Sequence, residues 1–315
     1  MRVLITGGAG FIGSNLAYAL IGGGHQVGVI DDLSTGHAEN LHPHAWFRTL
    51  DILDPQMPAA VAEFAPEYVV HLAAQASVTE SLRDPERDWA VNAEGTAAVA
   101  RAAAAAGARR MVSASSAAVY GEPDPAMLPL AETAPKAPAN PYGKSKLAAE
   151  TLLAQALTGT GVDHASFRFS NVYGPRQDAA GEGGVVALFC ARMHQAVAPI
   201  VYGTGAQTRD FIYVGDVVGA IVAALGADAP LAQPGTDGAA YNVSTGSEVS
   251  VQDLLRSLRH TSGYLGGVDA QPSRTGDVDR SSLSPAKAAE AFGWSAHQTL
   301  DVGLTFTWQW FTSRA

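Results

Sequence analysis

Residues 2–14 read RVLITGGAGFIGS, and the bend in the middle of that stretch decides the fold. Arg2 to Thr6 make a short β-branched run, and an apolar helical stretch from Gly10 to Gly23 follows at once. Gly7, Gly10 and Gly13 fall three residues apart across the junction. A strand that turns directly into a helix, with glycines at the bend, can bring its backbone against a pyrophosphate and aim unpaired helix amides at that charge. The repeat is GxxGxxG and not GxGxxG, and taken alone it also suits an ordinary strand-to-helix turn. Its surroundings have to decide.

The next strand, QVGVID, ends at Asp31, eighteen residues beyond Gly13. A carboxylate there accepts hydrogen bonds from the hydroxyls of an adenosine ribose and repels a 2′-phosphate, so NAD is preferred to NADP. Asp32 and Ser34 extend that contact. Further strand-like runs follow in WFRTLD, YVVHLA, MVSASS and HASFRFS, separated by helical stretches such as EGTAAVARAAAAAGA, which Gly107 stops. This alternation predicts an α/β protein with a doubly wound parallel sheet of the Rossmann type. Past NVYGPRQ it weakens, and a smaller mixed α/β substrate lobe is expected. The expected division assigns 1–172 plus 210–247 to dinucleotide binding and 173–209 plus 248–315 to the substrate.

Composition narrows the function. The 315 residues can bury a large core, and the net charge of -10 argues against nucleic acid or an anionic membrane as partner. An anionic ligand would need a local basic pocket. The one cysteine, Cys190, lies in the apolar run VVALFCARM and reads as a buried, inert thiol. No apolar run approaches the ~18 residues of a bilayer span. MRVLITGG opens as a strand and lacks the regions of a secretion signal, so the expected location is cytoplasmic.

The chemistry is expected in NPYGKSK, residues 140–146, where Tyr142 and Lys146 share one helix face if a helix begins near Pro141. Moving a phenol from a pKa near 10 to near 7 requires ~4 kcal/mol at 1.36 kcal/mol per unit. One nearby cation supplies roughly one to three units. Lys146 therefore nearly suffices, and the positive ring of oxidised NAD completes the shift. Ser116, ending the run SASS, can hydrogen-bond the same substrate oxygen. The plainer alternative is a tyrosine at a core edge beside a solvated lysine.

With these pieces in place the chain resembles the extended short-chain dehydrogenase/reductases, and among them the UDP-glucose 4-epimerase-like sugar-nucleotide enzymes. TGGAGFIG, VIDDLSTG, HLAAQASV, SASSAAVYG, YGKSK, NVYGPRQ, YGTGAQTRDFIYVGDV and RTGDV carry the resemblance, in the family's order and over nearly the whole length. It implies a catalytic set of Ser116, Tyr142 and Lys146, with Lys146 also touching the nicotinamide ribose. It implies an NAD wall that adds Phe11 and Ile12 in the glycine turn, Leu33, Thr35 and Gly36 beside Asp31, and then Asp51, Ile52, Leu72, Ala73, Ala74, Gln75, Asn92 and Phe169. For the nucleotide sugar it implies Ser77, Asn171, Val185, Val186, Tyr202, Gln207, Arg209, Arg274 and Asp277. Two arginines on a diphosphate would supply the local basicity that the acidic whole lacks. A homodimer packed through the helix of YGKSK and the one near Asp88 to Ala106 is also implied.

Family members that dehydrate the sugar carry an Asp-Glu pair after the catalytic hydroxyl, and UDP-glucuronate decarboxylases place a glutamate there; this chain has Ala117 and Ala118. Methyl groups cannot move protons. The resemblance then implies carbon 4 epimerisation of a UDP-sugar through a 4-keto sugar. The alternatives are a 4,6-dehydratase or reductase of the same family and a non-catalytic dinucleotide-sensing module. Ser281 stands where glucose-restricted relatives can have a tyrosine, which implies room for a larger hexose or a carboxylate at carbon 6. Arg192, on the helical run after Val185, could read that carboxylate, although an exposed helix charge is the simpler reading. UDP-glucuronate is slightly favoured on these grounds over UDP-glucose.

His37, Glu39, His42 and His44 crowd one proline-containing loop without a closed ligand geometry, and no metal is expected. His71 reads as a hydrogen-bonded core histidine. Trp308 and Trp310 read as packing for the second lobe.

Overall fold

In the computed structural model the described residues are 1–179, 184–235, 237–273 and 278–313. The chain begins with β1 (Arg2–Thr6), α1 (Phe11–Gly22), β2 (Gln26–Asp31), β3 (Trp46–Thr49), α2 (Met57–Phe64) and β4 (Tyr68–His71). Two short helices, α3 (Val78–Arg83) and α4 (Pro85–Trp89), lead through a wide turn into α5 (Gly95–Ala105) and β5 (Arg110–Ser116). Then come α6 (Pro141–Leu157), β6 (Asp163–Phe169), β7 (Asn171–Tyr173), α7 (Val185–His194), β8 (Ile200–Tyr202), β9 (Thr208–Arg209), β10 (Phe211–Tyr213) and α8 (Val214–Gly226). The chain closes with β11 (Ala240–Val243), β12 (Val249–Ser250), α9 (Val251–Ser262), β13 (Asp269–Gln271), α10 (Ala286–Phe292) and α11 (Leu300–Thr312).

Seven strands form one sheet in the order β11-β6-β5-β4-β1-β2-β3, every neighbouring pair parallel. The period of two sends Val3 and Ile5 to one face and Leu4 to the other, and Val70 and Val69 divide in the same way on β4. One face is covered by Leu16 and Leu20 of α1 and by Val217 and Ile221 of α8; the other by Val61 of α2, Val99 and Ala103 of α5 and Leu153 of α6. This is the doubly wound sheet the sequence predicts. After β1 the order runs outward to β2 and β3, and β4, β5, β6 and β11 build the other way. The crevice at that reversal, beyond the carboxyl ends of β1 and β4, is where such sheets bind ligands.

A second apolar core joins Val186, Phe189 and Cys190 of α7, Leu254 and Leu258 of α9, and Leu304 of α11, with Trp308 packed on it. Cys190 is fully buried and burial pushes its thiol up to about 12, which fits the inert reading. Near its end the chain contributes to both cores. Ala288 of α10 and Trp294 pack into the sheet-side core, and Trp294 Nε1 donates to Asp216 O at 3.0 Å. The last segment therefore returns to the sheet before α11 rejoins the second core. Among the described residues no helix is long and apolar enough to cross a membrane.

Candidate active site

The glycine turn leaves no room for side chains. A Cβ on Gly13 would lie 2.2 Å from Gly7 O, and one on Gly7, whose φ is +73°, would lie 2.6 Å from Ala73 N. The backbone of β1 is thus pressed against the segment after β4, and α1 starts at Gly10 without a side-chain cap. Its first amides remain open to an anion. Phe11 and Ile12 stand half-buried in that first turn.

Asp31, at the end of β2, is 7% exposed and accepts from the amides of Ala9 and Leu33, both at 2.9 Å. Burial pushes its carboxyl up while these two bonds hold it down, and Asp32 adds to the rise. The carboxylate is thereby fixed between the glycine turn and the loop that follows, with Gly36 so close that a Cβ would lie 2.7 Å from Asp31 Oδ1. Asp32 Oδ1 accepts from Ser34 N and Ser34 Oγ, which shapes the loop, and Thr35 is exposed beside them. Leu33 holds a φ of 60° there. Asp51 caps a turn through Leu53 N, Ile52 is buried behind it, and Leu72 N is held on Thr6 O ahead of Ala73 and Ala74. This is a cradle of the shape and chemistry a dinucleotide requires.

Two members of the expected wall are more occupied than the sequence suggests. Asn92 Oδ1 accepts from Gln75 N, and Asn92 Nδ2 donates to Gln75 O, Asp88 Oδ1 and Ser145 Oγ. Gln75 Nε2 donates to Ser77 O and Asp88 Oδ1, while its Oε1 accepts from Ser77 N. Asn92 thereby ties the loop after β4 to α6, and Gln75 ties it to Asp88. Phe169 is buried edge-on to Phe167, so it backs the wall from the core.

Helix α6 starts where its sequence says. Asn140 caps it by accepting from Gly143 N at 2.9 Å, and Pro141 takes the first helical position. Gly143 is needed for contact: a Cβ there would lie 2.6 Å from Ala118 O. That closeness sets α6 against the turn after β5, where Ser116 Oγ accepts from Ala118 N and shares a hydrogen bond with the Tyr142 phenol. Lys146 is 5% exposed, donates to Ala114 O at 3.2 Å, and stands 5.9 Å from the centre of the Tyr142 ring. His71 lies between Thr6 Oγ1 at 2.7 Å and Thr96 Oγ1 at 3.1 Å; burial and the Lys146 charge push it down to about 3, so it is neutral, as a core histidine should be.

The electrostatics amend the sequence reading. Burial pushes the Tyr142 phenol up, its bond with Ser116 pulls it down, and Asp88 pushes it further up. Burial also lowers Lys146 to about 8, with Asp88 opposing. In the protein alone, then, the burial that brings the pair together opposes charge on both groups.

The sequence pattern of the NAD dependent epimerase/dehydratase family matches residues 3–244. The chain belongs to this NAD-dependent family. A UDP-glucose 4-epimerase of Mycolicibacterium smegmatis is 40% identical over the full length of both chains. Two solved UDP-glucose 4-epimerases superpose over the whole chain: that of Thermotoga maritima with UDP-glucose, at TM-score 0.93, 37% identity and 99% of its length, and that of Thermus thermophilus with NAD, at 0.91, 37% and 100%. NAD fits the cradle just described and is the family's cofactor.

The residues expected to hold the nucleotide sugar lie apart from this cradle. Asn171, opening β7, is exposed, and its backbone N–H donates to Asp210 O. Val185 and Val186 open α7, whose start has no side-chain cap; the Val186 side chain is in the second core, so only its backbone can face a ligand. Tyr202 and Gln207 line a cavity of about 320 Å³ with Gly203, Thr204, Ser273 and Arg280. Gln207 Nε2 braces Tyr202 O, and Arg209 Nη1 donates to Thr208 O. Ser77 caps α3 through Glu80 N. Arg274 and Asp277 lie outside the described residues. Arg192 sits in the last turn of α7, about 10 Å along the axis from Val185, and its Nε donates to Ala198 O at 2.6 Å.

Three groups escaped the sequence reading. Glu150, two turns beyond Tyr142 on α6, accepts from Ser115 Oγ at 2.5 Å and pairs with the buried Arg168. Arg168 was visible as a charge inside an apolar strand, and Glu150 as the next member of the Tyr142–Lys146 stripe. Asp88 was visible as the residue one helical turn before Asn92.

Proposed function

We propose that the protein is a UDP-hexose 4-epimerase, interconverting UDP-glucose and UDP-galactose through a 4-keto sugar. The observation that carries this reading is the Ser116–Tyr142 contact at the mouth of the dinucleotide crevice, with only Ala117 and Ala118 following Ser116. A proton acceptor for one hydroxyl is there. The two further proton carriers that a dehydratase or decarboxylase needs in that turn are not. A sensing module would have no use for a buried tyrosine and lysine set beside the cofactor.

Bound NAD supplies the acceptor for the carbon 4 hydride and later its source. Tyr142, as phenolate, takes the proton of the carbon 4 hydroxyl and later returns it to the carbon 4 oxygen once the keto sugar has turned its other face. Ser116, bonded to the phenol, orients that hydroxyl. To act as acceptor Tyr142 first releases its own proton to solvent, a step that positive charge in the crevice favours. The first amides of α7 and the guanidinium of Arg209 hold the diphosphate while the sugar turns.

The neutral hexose is preferred here to the uronate, because Arg192 Nε is held on the Ala198 carbonyl beyond the far end of α7. A homodimer through α5 and α6 is part of the reading, supported by the exposed Trp89 and Leu82 on the adjoining helices. The test is incubation of the purified protein with UDP-glucose and, separately, UDP-glucuronate, without added NAD. Formation of UDP-galactose at the faster rate supports the proposal; release of a 4-keto-6-deoxy sugar or carbon dioxide, or no isomer, overturns it.

A further inference from the structure

One carboxylate oxygen in the interior has no partner. Asp88 is 1% exposed on α4, which packs against α6. Its Oδ1 accepts from Gln75 Nε2 at 2.7 Å and from Asn92 Nδ2 at 3.1 Å. Its Oδ2 is buried without a hydrogen bond among the described residues. An ionised group in such a place is costly to keep unless its charge is used by neighbours.

Those neighbours belong to the site. Asn92 Nδ2 also donates to Ser145 Oγ, which donates to Tyr142 O at 3.0 Å, so Asp88 is tied to the turn of α6 between Tyr142 and Lys146. Gln75 carries the same carboxylate to the cofactor wall. The titratable groups around the pair are few. α6 contributes Tyr142 and Lys146 themselves, and Glu150 beyond them, already paired with Arg168. β4 contributes His71, neutral between two threonines. β5 contributes Ser116 and the Ala114 carbonyl, and the charges of α4 itself, Glu86 and Arg87, point outward. Asp88 is the negative charge that both members of the pair feel.

We propose that Asp88 is a positioning residue for the Tyr142–Lys146 pair: a fixed, buried negative charge that ties the cofactor wall to the catalytic helix and sets the pH at which both groups release their protons. The proposal rests on these two residues being the reacting pair. Asp88 opposes the burial that would strip Lys146 of its proton, and adds to the burial that favours the neutral phenol of Tyr142. Removing one negative charge from beside two titrating groups favours the less protonated form of each, so both titrations move to lower pH.

Asp88→Asn keeps a carbonyl for Gln75 and Asn92 and removes the charge. Ionisation of Tyr142 is read from phenolate absorbance, as the difference between each form of the NAD-loaded protein and the same form carrying Tyr142→Phe. The expected result is a shift of about one unit to lower pH in Asp88→Asn, with the pH profile of turnover moving the same way. Ser145→Ala, which cuts the tether but leaves the charge, should leave the titration in place. Should Asp88→Asn fail to fold, Asp88→Ser takes its place. An unmoved or raised titration in the folded neutral variant overturns the proposal. The absorbance reading needs no turnover, so a wrong substrate assignment would not be mistaken for a wrong role of Asp88.

Discussion

Arg168 grips Glu150 through two nitrogens, Nε to Oε1 at 2.9 Å and Nη2 to Oε2 at 2.6 Å, and the same Oε1 accepts from Ser115. Since Ser115 precedes Ser116, this pair fixes the end of β5 and the catalytic stripe of α6 to one point. Glu150→Ala would leave a guanidinium that is 1% exposed with Asp237 as its remaining carboxylate among the described residues. The expected loss is about 1–3 kcal/mol of stability, read by urea unfolding. Glu150→Gln, which keeps a hydrogen-bonding shape, should lose less stability yet still lower kcat.

Tyr142→Phe removes the proton acceptor and little else. Turnover should fall by about 10²–10⁴-fold, with NAD still released on denaturing the purified protein. Retention of more than a tenth of the rate would remove Tyr142 from its role.

Lys146 gives a prediction of opposite sign for activity and stability. Its pKa falls from 10.5 to about 8 on folding, so the unfolded chain binds the proton more tightly. Below about pH 8 the folded state carries the full burden of the buried charge; as pH rises from about 8 to 10.5 that burden disappears and stability rises. Lys146→Met should therefore abolish turnover while raising Tm at pH 7, by up to about 3 kcal/mol in stability at 1.36 kcal/mol per unit. The gain should shrink towards pH 10. A Tm gap that stays constant with pH would contradict this.

Gly13→Ala tests the cradle. A Cβ 2.2 Å from Gly7 O must displace the turn, at an overpacking cost of about 1–3 kcal/mol. Dinucleotide retention should weaken by roughly five- to 150-fold, at 1.4 kcal/mol per tenfold. Fluorescence titration of NADH into stripped protein measures it.

Much of this architecture is legible in the sequence because local rules and global fold agree. RVLITGG can only be a buried strand running into a tight turn, and Asn140-Pro141 marks the start of α6 as caps and prolines do. What was not legible depends on which charges burial brings together. Nothing in the spacing of Tyr142 and Lys146 shows that the cleft dehydrates both, or that Asp88 sits beneath them. The sugar-side residues were harder still: Arg192 has the right position on a helix, but its guanidinium turns to the Ala198 carbonyl, a contact that depends on the path of the chain after α7. The return of Ala288 and Trp294 to the sheet was hidden for the same reason, since glycine- and proline-rich stretches mark a change of course without its direction.

The central claim is that hydride leaves carbon 4 and comes back to it inside one closed site. UDP-galactose carrying deuterium at carbon 4, incubated with the protein and a large excess of unlabelled NADH, tests it most directly. The account predicts UDP-glucose with deuterium still at carbon 4 and an unlabelled coenzyme pool. Deuterium appearing in the pool or in water, with protium at carbon 4 of the product, would contradict it.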